Sequence, residues 1–312
     1  MHGPLPQHPE DVGQPIDTVL HPGLQLMQQH LTLSGRKLAL VVPRSIDAVL
    51  DMYIARNQGD RDPYWCRPWP SAIALAQLIL QQPELVKGKR VCDIGCGLGL
   101  AGIAAALSGA KEVVMLDREP IALQCSLLSA QACGVMSVQD YTQHVEPEAA
   151  SSSQHQSLPS QNGSDIAQDS TSVDAATDCS STTNQQAPFS QVSAQHFDWG
   201  YPGCQGNYDV ALACDVLYEP YSVEPVANIT PWLLNHRTGR LLLADPSHRT
   251  KDNRDRFLQL LGGQPKSAML LQESSEVTIR MDEQDSLVQL QLLRMKQGQE
   301  TVGLKLSAPG QD

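Results

Sequence analysis

The spacing of apolar and polar positions alternates between two periods along this chain. Short β-branched or leucine-rich runs close on Gly or Asp, and each is followed by a segment whose apolar residues fall three and four apart. LTLSGRKLALVVPRSIDAVLDMYIA predicts one or two strands and then a short helix, with Pro43 as a break and Ser45 as a helix start. PSAIALAQLILQQPELV has helical spacing up to a stop at Gly88, and KRVCDIG is a strand. GLAGIAAALSGA then reads as helix, KEVVMLD as strand and REPIALQCSLLSAQACG as helix. Farther on, YDVALACD is a strand, SVEPVANITPWLLN a helix despite its two prolines, GRLLLADP a strand and RDRFLQLLGG a helix with a glycine stop. SAMLLQESSEVTIRM and SLVQLQLLRM read as two strands with no helix between them.

Strand and helix in strict alternation imply right-handed crossovers and a parallel sheet covered on both faces, with the last two strands as an antiparallel pair at one edge. The expected class is α/β. One stretch breaks the rhythm: from Glu146 to Gln195 the chain is rich in Ser, Gln and Thr and has almost no apolar periodicity. Such a composition cannot bury enough surface to offset its ordering entropy, so a disordered insertion is expected there. One domain tolerates it because loop-closure entropy grows only logarithmically with length. The expected organisation is a flexible N-terminus over 1–30, one domain formed by 31–145 and 196–296, the insertion at 146–195, and a flexible tail over 297–312.

Composition narrows the partners. Among 312 residues, 22 basic side chains face 34 acidic ones, a formal charge of −12, which disfavours the phosphate contacts that nucleic-acid binding rests on. No stretch reaches the roughly 18 to 20 apolar residues of a spanning helix, and MHGPLPQHPEDVG has neither signal-peptide nor Arg-rich presequence character. The expectation is a monomer without nucleic-acid or membrane partners, in the cytoplasm, with mitochondrion or plastid as alternatives. The eight cysteines include no C-x-x-C pair and read as reduced core thiols, and no histidine spacing suggests a metal.

The chemistry-bearing stretch is Val91-Cys92-Asp93-Ile94-Gly95-Cys96-Gly97-Leu98-Gly99, a strand running through a glycine-rich turn into a helix. In a doubly wound sheet this is where nucleotide-like ligands sit. Gly97, Gly99 and Gly102 also satisfy the dinucleotide pattern G-x-G-x-x-G. Asp93 at the strand end would repel a diphosphate and attract an ammonium, which favours S-adenosylmethionine; a dinucleotide, or a packing turn without ligand, stays open. Asp117 lies about twenty residues on, where a carboxylate can take ribose hydroxyls.

On these residues, D-x-G-x-G-x-G with the acidic Asp117, the chain resembles the class I S-adenosylmethionine-dependent methyltransferases, whose fold is a Rossmann-like seven-stranded sheet. Pro68-Trp69-Pro70-Ser71-Ala72, Asp198-Trp199-Gly200 and the D-x-x-Y motif Asp215-Val216-Leu217-Tyr218 resemble family 16 of that class, mostly protein-lysine methyltransferases. Within it, Asp62-Pro63-Tyr64-Trp65 with Trp69, PELVKGKRVCDIGCGLGLAGIAAALSGA, and Asp245-Pro246 match one branch best. The resemblance implies Asp93, Gly95, Cys96, Gly97 and Gly99 as the cofactor turn, with Gly95, Cys96 and Gly97 beside the methionine portion. It further implies Asp117 on the ribose, Trp69 against the cofactor, Trp199 beside the adenine, and Cys214 lining the pocket. Core packing is the alternative for each Trp, and stands first for Trp65 and Trp232.

Asp215 and Tyr218, three residues apart at a strand's carboxyl end, are expected to hold the target nitrogen, through charge and through hydroxyl and ring respectively. An Asp capping the next turn and a Tyr in the core is the alternative. Glu219 could add acidity, and His248 after Asp245-Pro246-Ser247 could be a base or a solvated loop residue. The implied function is S-adenosylmethionine-dependent methylation of a lysine on a protein substrate. The alternatives are a small-molecule methyltransferase, a non-catalytic cofactor-binding interaction protein, and a nicotinamide oxidoreductase.

Overall fold

A computed structural model of the chain describes residues 24–59, 61–136, 190–199, 206–264, 268–281 and 283–296. The chain divides into one unit of 1–145 with 189–312, and a second of 146–188 that lies outside the described residues.

The N-terminal extension is a hairpin of β1 (Leu26–Leu33) and β2 (Arg36–Pro43), followed by α1 (Ile46–Ala55). Ser34 and Gly35 both take left-handed backbone at the turn (φ 49 and 76), the combination that matches the strands' twist in a two-residue loop. Strand β1 begins five residues before the expected boundary at Leu31. LMQQHLTL carries too many polar residues to announce itself, and its pairing with the buried β2 makes it a strand. Ser45 caps α1 as its position suggests, its Oγ accepting from Ala48 N at 3.3 Å.

Seven further strands form one sheet: β3 (Arg90–Ile94), β4 (Glu112–Asp117), β5 (Gln191–His196), β6 (Val210–Cys214), β7 (Arg240–Pro246), β8 (Met269–Met281) and β9 (Gln284–Met295). Their order is β5-β4-β3-β6-β7-β9-β8. The first five are parallel, and β9 runs antiparallel to both β7 and β8. Both the seven-stranded sheet and the antiparallel C-terminal pair agree with expectation.

Strand β5 was not foreseen. QVSAQH falls in the stretch read as an insertion to 195, because only Val192 of the strand is buried. It forms by pairing with β4, from Glu112 beside Gln191 to Asp117 beside His196, and Ser190 Oγ anchors its start on the carbonyls of Ala106 (3.0 Å) and Ala110 (2.6 Å). The boundary therefore moves back to residue 190. Residues 146–189 and 297–312 of the expected insertion and tail lie outside the described residues.

Helices α2 (Pro70–Gln81), α3 (Leu100–Leu107), α4 (Pro120–Ala132), α5 (Pro220–Leu233) and α6 (Lys251–Gly263) cover the sheet. Strand residues alternate between two apolar clusters. Val91, Val113, Leu212 and Leu242 join the residues of α2, α3 and α4, while Ile94, Leu116, Ala213 and Leu243 join those of α5 and α6. Pro83 ends α2 and Gly88 serves a later turn, so the stop comes earlier than expected. Helix α5 does contain Pro225 and Pro231 in its interior. Strand order reverses between β3 and β6, which opens a crevice at the carboxyl ends of the parallel strands.

Candidate active site

A cavity of about 460 Å³ fills that crevice, and most of the expected site residues border it. Its floor is the turn after β3. Gly95, Gly97 and Gly99 alternate in left-handed backbone (φ 64, 52 and 77), which only glycine adopts without strain. Gly95, Cys96 and Gly97 face the cavity. Gly99 does not: an added Cβ would stand 2.8 Å from both Met115 Sδ and Ser126 Cβ, so its bareness lets α3 seat against β4 and α4.

Asp93 also sits behind the turn. Alternation along β3 puts it on the α3 side of the sheet with Val91, where its Oδ2 accepts from Gly102 N at 2.9 Å. It is buried, does not border the cavity, and burial pushes its carboxyl up to about 7. The expected attraction of a ligand ammonium to Asp93 therefore gives way to a role in tying α3 to β3.

Asp117 does border the cavity, and backbone groups orient it. Oδ2 accepts from Gly97 N (2.8 Å) and Oδ1 from Glu119 N (2.9 Å). Burial raises its carboxyl above the usual range, and the two N–H groups pull the other way. A carboxylate so held keeps lone pairs free for a pair of hydroxyls. Glu119 also borders the cavity and accepts from Arg61 Nη1 at 2.8 Å.

The N-terminal wall follows from DPYWCRPW. Asp62 Oδ1 accepts from Tyr64 N (3.1 Å) and starts a 3-10 turn, and Trp69 Nε1 donates to Tyr64 O (2.7 Å). Tyr64 meets Trp69 and Tyr218 edge-on, with ring centroids 5.8 and 5.6 Å away. Trp69, Tyr64 and Tyr218 all border the cavity. Trp65 is buried, its Nε1 donating to Tyr53 Oη (2.9 Å), and it touches the cavity where its backbone nears Gly97. On the opposite wall, Trp199 and Val216 crowd Gly95, whose added Cβ would stand 3.4 Å from Trp199 Cζ2 and 3.0 Å from Val216 Cγ1. Trp199 also borders a second depression with Tyr221 and Trp232, and Gly200 lies outside the described residues.

Asp215 occupies the end of β6 in left-handed backbone (φ 55), a strained setting for a residue with a Cβ. Its side chain is 8% exposed and borders the cavity. Oδ1 accepts from Arg249 Nη2 at 2.6 Å, while Oδ2 has no hydrogen-bond partner among the described residues. Burial raises its carboxyl above the usual range and Arg249 opposes this; Ser71 adds polarity without a hydrogen bond of normal geometry. Burial holds the Tyr218 hydroxyl up at about 12, so it is neutral at physiological pH. Cys214 borders the same cavity, its thiol pushed well up by burial.

Asp245 and His248 stand apart. Asp245 is fully buried and accepts from Thr250 Oγ1, and His248 is exposed and does not border the cavity. Conversely, Arg249, Arg118 and Phe197 each border the cavity beside a residue the sequence singled out, yet none of the three was itself singled out. Glu219 does border the cavity. Among the described residues no cluster of three or more His, Cys, Asp or Glu side chains could hold a metal, and no helix is long and apolar enough to cross a membrane.

The donor set fits a nucleoside with a cationic tail. Asp117 offers acceptors for hydroxyls, Trp199 and Phe197 offer apolar surface, and Trp69 and Tyr64 offer aromatic faces beside an acidic residue, Asp215. The family model described as Ribosomal protein L11 methyltransferase (PrmA) matches residues 74–157. Electron transfer flavoprotein beta subunit lysine methyltransferase of Danio rerio is 52% identical over 61 residues, 20% of this chain and 24% of that protein. The protein of that name from Homo sapiens is 44% identical over 71 residues, 21% and 27% of the two chains. Calmodulin-lysine N-methyltransferase of Arabidopsis thaliana is 49% identical over 53 residues, 17% of each. The matched stretch thus spans about a quarter of the flavoprotein-directed relatives' length. The chain has the seven-stranded sheet with an antiparallel C-terminal pair expected of a class I methyltransferase, and part of it is similar to named protein-lysine methyltransferases.

Proposed function

We propose that this protein transfers a methyl group from S-adenosylmethionine to the side-chain amine of a lysine on a protein substrate. The observation that carries the reading is Asp215, a buried carboxylate with one oxygen unpartnered among the described residues, bordering the cavity that Asp117 and the glycine turn also border. An alkylammonium beside the rings of Tyr218, Tyr64 and Trp69 satisfies it.

Asp117 takes the two ribose hydroxyls, Trp199 flanks the base, and Gly95 to Gly97 present bare backbone to the methionine portion. When bound, S-adenosylmethionine supplies a methyl group on a positively charged sulfur. Asp215 gathers the incoming ammonium and Tyr218 aligns it. The amine must lose its proton before it can attack, and the cationic side chain of Arg118 at the same cavity favours that loss. With its proton gone to water, the neutral nitrogen would be held by Asp215 and Tyr218 in line with the methyl group that bound S-adenosylmethionine would supply. The aromatic wall excludes water from the line of attack, so positioning rather than covalent chemistry carries the rate.

The test incubates the protein with labelled S-adenosylmethionine and candidate substrates, starting with electron transfer flavoprotein β subunit and then calmodulin, the targets named for the relatives. Label on a lysine, lost by at least about a hundredfold in Asp215→Ala with cofactor binding intact, supports the reading. Full turnover in Asp215→Ala, or label confined to small molecules, sinks it. We take the protein as a cytoplasmic monomer, to be checked by fractionation against mitochondrial and plastid markers and by light scattering.

A further inference from the structure

Arg249 and Arg254 both follow β7, and they differ in how they are held. Arg254 is buried, with Nη1 on Pro246 O (2.9 Å) and Nη2 on Ser247 O (2.8 Å), and it braces the loop. Arg249 has a side chain 53% exposed, yet its guanidinium reaches back to Asp215 Oδ1 at 2.6 Å and lies 5.6 Å from the centroid of Trp69. One end of Arg249 is in water and the other fills a buried carboxylate beside an aromatic face.

A carboxylate beside aromatic rings is also what a lysine ammonium requires. We propose that Arg249 is a stand-in for the substrate cation, covering Asp215 between turnovers, and that it thereby selects the acceptor. This inference rests on the lysine-acceptor reading. A buried carboxylate stripped of its cation pays a large desolvation cost, so Arg249 withdraws readily only when another cation takes its place. An alkylammonium exchanges with it at little cost. A hydroxyl or amide acceptor brings no charge and leaves Arg249 where it is. The half-exposed position of Arg249, against the buried clamp on Arg254, makes that exchange feasible. Arg249 is thus a specificity-determining residue, and it lowers apparent affinity for every amine by the fraction of time it occupies the place.

The experiment titrates n-butylammonium chloride, the lysine side chain in isolation, into the full chain saturated with S-adenosylhomocysteine, reading binding by ligand-observed NMR. Arg249→Ala and Arg249→Met, the second keeping the aliphatic stem over Trp69, should each bind the probe about five- to tenfold more tightly than wild type. Arg249→Lys, which keeps a cation, should stay near wild type, and Asp215→Asn should abolish binding in either background. Using two uncharged variants guards against one failing to fold, as judged by its melting temperature. Asp215-dependent binding that is equal or weaker in both uncharged variants overturns the stand-in role while leaving the acceptor reading intact. Absence of any Asp215-dependent binding overturns both.

Discussion

Asp117 and Asp215 each lie at the carboxyl end of a parallel strand and border one cavity, yet they are held in opposite ways. Asp117 is finished by backbone: two N–H groups, from Gly97 and Glu119, take one oxygen each. Asp215 is finished by a side chain 34 residues away on one oxygen and by none of the described residues on the other, and its own backbone is left-handed. On the proposed function, the end that meets the nucleoside is complete before any ligand arrives. On the proposed function, the end that meets the acceptor holds its charge only through the half-exposed Arg249, so that is where selection between substrates would take place.

If the nucleoside end is made by backbone, glycine substitutions there should have the largest effect. Gly99→Ala puts a Cβ 2.8 Å from Met115 and Ser126 in left-handed backbone, and should cost roughly 2–4 kcal/mol in urea unfolding. Gly97→Ala meets only ordinary contacts with Trp65 and should cost about 1 kcal/mol. Equal losses at the two positions would mean that strain alone, and not packing of α3, sets the need for glycine.

A smaller effect separates the two carboxylates. Asp117→Asn keeps one accepting oxygen and should weaken S-adenosylhomocysteine by about 10- to 100-fold in calorimetry, while Asp215→Asn should leave that affinity within about threefold. Comparable losses from both would erase the division between the two ends.

The smallest effect concerns pH. Burial pushes Asp245 up to about 7, far above the value of an unfolded aspartate. Between those values the folded chain holds a proton that the unfolded chain has released, so this group's contribution is full at low pH and is lost as pH rises through about 7. Asp245→Asn removes that titration. Cooling of the melting temperature between pH 6 and pH 8 should be a few degrees less in the variant than in wild type, read by differential scanning calorimetry. An identical pH slope would show that Asp245 is already ionised at pH 6.

The parts legible in the sequence are those written in local chemistry. The glycine turn, Asp117 after β4, the capping Ser45 and the helix with interior prolines are each announced within a few residues, because turn conformation and apolar period are short-range properties. Strand β5 was illegible, since an edge strand with one buried residue needs its partner β4 to exist. Asp93 was misread because a carboxylate at a strand end says nothing of which face it takes; alternation along β3 turns it to α3 and away from the cavity. Arg249 carried no signal at all, because its pairing with Asp215 spans helix α5 and strand β7.

The sequence alone determined the class of fold, the glycine turn, and the D-x-x-Y pair at a strand end, because these follow from residue types at short spacing. Tertiary structure alone decided that Asp93 and Gly99 lie behind the turn, that Trp69, Tyr64 and Tyr218 form one aromatic wall, and that Arg249 covers Asp215. Burial and charge pairing between distant segments come into being only when the sheet brings its strand ends together.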